Sequence, residues 1–80
     1  MRGVNLPHLA DLEVATPGIR VVPLASGRYR VLGRTGALLG MLEPTSHGTV
    51  RASRFSVRER GFRDLGEFSS ATRAAEELRG

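Results

Sequence analysis

The residues whose number and spacing could carry chemistry in this chain are its arginines. All twelve basic residues are arginine rather than lysine, and the formal net charge is +4. Eight of the twelve fall in residues 28–63, against only Glu43 and Glu59, whereas residues 1–27 balance and residues 64–80 are net acidic. A guanidinium is planar, permanently charged and forked, so it takes two oxygens of one phosphate or carboxylate at once. A concentration of such groups in one stretch suits a polyanionic partner. An arginine-only basic set is also what GC-rich coding produces, so the distribution of the arginines is more informative than their number.

The other reactive side chains form no pattern. His8 and His47 are the only histidines and there is no cysteine, so a metal site would need both imidazoles and carboxylates drawn from distant segments. The serines have no histidine placed to act as their base, and Ser69 and Ser70 are accounted for as helix caps. Gly33-Arg34-Thr35-Gly36 lacks the length and the lysine of a phosphate-binding loop and reads as a hairpin turn. Tyr29 is the single tyrosine and belongs to a core face, which leaves base stacking without a platform. The expectation is a protein with no catalytic residue, no cofactor and no metal, and therefore not an enzyme.

The elements that must position the arginines are legible from the end of the chain backwards. Phe62 to Phe68 reads as a strand, Ser69 and Ser70 offer capping oxygens, and Ala71, Ala74, Ala75 and Leu78 recur at the spacing of one helix face. Upstream, Arg28 to Leu32 alternates with Tyr29 and Val31 on one side, and Ala37 to Glu43 is a second run joined to it through Arg34-Thr35-Gly36. Pro44 to Gly48 is a turn cluster and Thr49 to Val57 a third strand. Ile19 to Val22, closed by Pro23, adds an edge strand, because proline has no N–H to give a neighbour. The fold class expected is α+β: an antiparallel β-meander of three to five strands with one C-terminal helix packed on one face.

Eighty residues suffice for one such domain over residues 19–80. Residues 1–18 form an N-terminal segment, in which Leu6, Leu9 and Leu12 and a helix-tolerated Pro7 predict either a short docked helix over Asn5 to Glu13 or a frayed end. No apolar run is long enough to span a membrane, and nothing in the chain calls for an oxidising compartment, so a cytoplasmic location is expected.

Facing follows from the helix. With Phe62 and Phe68 turned toward it, period two sends Arg63, Leu65 and Glu67 to the opposite side. Val50 and Ala52 turn inward and Arg51 outward, while Phe55 and Val57 break the alternation and imply a bulge near Ser53 and Arg54. Tyr29 and Val31 turn inward, Arg28 and Arg30 outward. Arg28, Arg30, Arg51 and Arg63 thus share the sheet face away from the helix, where they either meet nucleic acid or form an ordinary solvated face.

Leu65, Gly66, Phe68, Ser69, Ser70, Ala74 and Ala75 make a strand with a Leu-Gly-x-Phe core, a small polar cap and a helix opening with paired alanines. This ending resembles the small three-stranded-sheet-plus-helix DNA-binding domains, the AP2 type and the arm-type domains of phage integrases. The resemblance implies a phage-like or mobile-element-like accessory protein whose sheet reads duplex DNA over a scaffold helix. It assigns contacts to Arg28, Arg30, Arg51, Arg54 and Arg63. Four arginine–phosphate contacts would give a log–log salt slope of roughly −3 to −4. The alternative is a protein-interaction module or a homodimer, with Leu32, Leu38 and Leu65 among the arginines of the outer face. A third possibility is structural, residues 4–19 folding across that face and covering it with Leu6, Leu9, Leu12 and Val14.

Overall fold

Short apolar runs separated by turn residues fold into an antiparallel meander. In the computed structural model, which describes Val14 and residues 16–80, the strands are β1 (Arg20–Pro23), β2 (Tyr29–Leu32), β3 (Leu38–Pro44), β4 (Val50–Ser56) and β5 (Gly61–Phe68). They pair in sequence order, β1-β2-β3-β4-β5, so β1, ending in Pro23, is an edge as expected. A helix, α1 (Ala71–Arg79), follows and packs on β3, β4 and β5. The expected helix over residues 5–13, with His8, lies outside the described residues.

The four hairpins are closed by one kind of turn. Gly27 N donates to Leu24 O, Gly36 N to Gly33 O, Gly48 N to Thr45 O and Arg60 N to Val57 O, at 3.0–3.4 Å. Because consecutive strands alternate in direction, the turns over 33–36 and 57–60 lie at one end of the sheet, with the start of β1 and the end of α1. The turns over 24–27 and 45–48 lie at the other.

The helix begins where the side chain of Ser70 accepts from Arg73 N at 3.1 Å, and it stops at Gly80, whose N–H reaches Glu76 O at 3.2 Å with φ +84°. Its buried stripe is Ala71, Ala74, Ala75 and Leu78, the four residues expected. Alanines allow close approach to the sheet, and Leu78 sits over Gly40, where a Cβ would come within 2.8 Å of Leu78 Cδ2. Leu42, Leu78 and Val31 are the largest fully buried side chains, joined in the core by Tyr29, Val50 and Ala52. Val14, Ile19 and Val21 pack against the same core, and Arg79 Nη1 donates to Pro17 O at 3.3 Å. The described part of the N-terminal segment thus lies on the helix side of the sheet.

Two facing expectations are corrected. A bulge does fall beside Ser53, at the step from Ala52 to Ser53 on the β4–β5 ladder, but β4 keeps its alternation against β3, from Pro44 opposite Val50 to Gly40 opposite Arg54, so Arg54 rather than Phe55 turns to the helix side. The extra residue at this step is in β5: Ala52 pairs with Gly66 and Ser53 with Asp64, leaving Leu65 inserted beside Gly66 at φ +98°. One inserted residue reverses the parity of everything before it in the strand. Leu65 and Phe68 therefore pack on the core, while Phe62 lies opposite Phe55 on the open face, ring centroids 5.3 Å apart. Arg63, opposite Arg54, turns to the helix side rather than outward.

Candidate nucleic-acid interface

The register places the open face in three cross-strand rows. Nearest the 33–36 and 57–60 turns are Arg20 opposite Leu32, Leu32 opposite Leu38, and Phe55 opposite Phe62. The middle row runs Val22, Arg30, Met41, Ser53 and Asp64. The last row runs Glu43, Arg51 and Glu67, with Arg28 3.8 Å from Glu43. A shallow groove of about 230 Å³ on this face is lined by Arg28, Met41, Glu43, Arg51, Ser53 and Phe62.

The last row is a charge ladder that satisfies itself. Arg51 spreads its fork between two carboxylates, Nη1 to Asp64 Oδ2 at 2.7 Å and Nη2 to Glu67 Oε2 at 2.9 Å. Glu67 also accepts from Thr49 Oγ1 at 2.7 Å and lies 2.9 Å from His47 Nε2. The Thr49 hydroxyl, followed by the His47 contact and the charge of Arg51, holds the Glu67 carboxyl below its usual range. His47 is thus a partner of one carboxylate, and among the described residues no group of histidines and acids could hold a metal ion.

The five arginines assigned contacts, four of them expected on one face, divide. Arg28, Arg30 and Arg51 stand on the open face, with Arg28 and Arg51 facing acids. Arg54 is on the helix side, donating Nη2 to Glu77 O at 2.6 Å and Nη1 to Leu78 O at 3.3 Å. Those carbonyls belong to the last turn of α1, where a cation is favoured by the helix dipole and by unpaired acceptors. Arg63 is exposed on the same side.

A different set emerges at the end of the sheet. Arg20, Arg34, Arg58, Arg60 and Arg63 all lie toward the 33–36 and 57–60 turns, all are exposed, and none has a carboxylate partner among the described residues. The loop residues Arg58 and Arg60 escape an argument based on strand parity, which speaks only of strand interiors. The signal that finds them is the antiparallel order itself, which gathers alternate turns at one end.

Comparison with family models, with curated proteins and with solved structures finds no match to this chain. What stands on the geometry alone is a five-stranded antiparallel meander with one C-terminal helix against β3–β5. No helix among the described residues is long and apolar enough to cross a membrane.

Proposed function

We propose that this chain is a small, non-catalytic accessory protein of the cytoplasm that associates with duplex DNA through free guanidinium groups. The observation that carries the reading is the separation of its arginines into two populations. Arg28, Arg51 and Arg54 face acids or helix carbonyls, whereas Arg20, Arg34, Arg58, Arg60 and Arg63 lie along one end of the sheet with no such partner among the described residues. Unpaired guanidinium groups release counterions when they meet phosphate, while those already bound to carboxylates must first give them up. Arg30, exposed in the middle row of the open face, adds to the free set. The AP2-like and integrase-like order of sheet and helix agrees with a scaffold helix behind a DNA-facing sheet, with the contact surface moved toward the sheet's end. A mobility-shift titration with random-sequence duplex at low salt tests the reading, and absence of binding at micromolar protein would overturn it.

A protein partner is the second reading, favoured by the apolar row of the open face. Leu32, Leu38 and Phe55 are half-buried there and Phe62 is 47 % exposed, with the helix on the opposite side of the sheet. A mixed apolar and basic surface suits an acidic protein segment or a second copy of the chain. Sedimentation of the chain alone separates self-association from the monomer that the DNA reading allows.

A further inference from the structure

One turn breaks the rule that the other three keep. In the turns over 24–27, 33–36 and 45–48 the fourth position is glycine, at φ +90°, +91° and +90°. In the turn over 57–60 that position is Arg60, at φ +59°, the one non-glycine residue at positive φ among the described residues. The left-handed region brings Cβ against the following carbonyl oxygen, so an L-residue there carries a cost that glycine avoids. Glycine is at hand, since Gly61 follows directly, yet it opens β5 instead.

No contact of the Arg60 side chain with the described residues offsets that cost. The guanidinium of Arg60 makes no hydrogen bond or ion pair with any of them, and the residue is exposed. The turn around it is nonetheless well tied: Ser56 Oγ accepts from Glu59 N at 3.2 Å, and the Phe55–Phe62 contact closes the stem beneath. Backbone strain held at an exposed, braced position by a residue with no internal partner points to a contact outside the fold.

We infer that Arg60 occupies the glycine position of its turn because the tip of the β4–β5 hairpin delivers its guanidinium, with that of Arg58, to a phosphate of duplex DNA. The inference rests on the DNA reading proposed above and names the element that makes the contact. A planar fork takes two phosphate oxygens at once, and a tight turn that fixes the backbone reduces the freedom lost when it does so.

The test sets stability against binding in Arg60→Gly of the full chain, with a random-sequence 20-base-pair duplex as the probe. The substitution relieves the backbone and removes the contact, so the midpoint of thermal unfolding should rise by about 2–5 °C. Affinity at low salt should fall by roughly 3–10-fold, and the log–log salt slope should shrink by about 0.9. Arg73→Ala removes the same charge from the exposed side of α1 and should leave the slope unchanged. Unchanged binding by Arg60→Gly, or equal losses in both variants, overturns the inference and leaves the DNA reading standing. A fall in stability on Arg60→Gly also overturns it, because the backbone would then be unstrained. Failure of the unmodified chain to bind the duplex overturns both.

Discussion

The guanidinium of Arg54 donates to the carbonyl oxygen of Glu77 at 2.6 Å, so a residue that reads as part of a basic surface is a cap for the end of α1. Nη1 of the same fork reaches Leu78 O at 3.3 Å. These carbonyls are acceptors that the helix cannot satisfy itself, and Arg54 bridges them to the middle of the sheet. Its contribution therefore belongs to stability. Arg54→Ala should destabilise the fold by about 1–2 kcal/mol in urea unfolding, allowing for the partial exposure of these bonds. The salt slope of duplex binding should change little.

Gly40 makes the packing of α1 equally specific. A Cβ at this position would collide with the carbonyl oxygen of Ser53 and come within 2.8 Å of Leu78 Cδ2. Leu78 could turn aside, but backbone in the neighbouring strand cannot do so without disturbing the ladder. Gly40→Ala should cost about 2–3 kcal/mol, in the range of overpacked cores. Chemical unfolding measures it, and Gly36→Ala is the contrast, strained by its φ of +91° but with open space around it.

Much of this architecture is legible in the sequence, for identifiable reasons. The stripe Ala71, Ala74, Ala75 and Leu78, the Ser70 cap and the edge position of Pro23 follow from periodicity and from the backbone chemistry of single residues. Period-two reasoning found a bulge near Ser53 but put it in the wrong strand: the inserted residue is Leu65 of β5, because one strand's pattern does not say which partner carries the extra residue. That single residue moved Phe62 outward and Arg63 inward, and so dispersed the expected arginine face. The fates of Arg51 and Arg54 were equally hidden, since their partners Glu67 and Glu77 are distant in sequence. The contrast between Ser26-Gly27, Thr35-Gly36 and His47-Gly48 on one side and Arg60-Gly61 on the other was visible throughout. Its meaning needed the turns to be aligned by their hydrogen bonds.

The acid limb of stability should carry the mark of Glu67. Its carboxyl is held below the usual range by the Thr49 hydroxyl first, then by His47 and Arg51, so the folded state favours its ionised form. A depressed folded pKa gives stability that is present above the unfolded carboxylate pKa and is lost as pH falls through the folded value. Unfolding midpoints measured from neutral pH down through the carboxylate range should therefore decline. In Glu67→Gln the decline should be shallower.

The central claim is that the duplex is met by the free arginines at the end of the sheet rather than by the paired arginines of its open face. Salt-titrated binding of a random-sequence duplex compares the two directly, in Arg58→Ala/Arg63→Ala and in Arg28→Ala/Arg51→Ala. Losing two phosphate contacts should reduce the log–log slope by about 1.8, and the account assigns that loss to the first pair, with a much smaller change in the second. The reverse ranking, with the slope carried by Arg28 and Arg51, would contradict it.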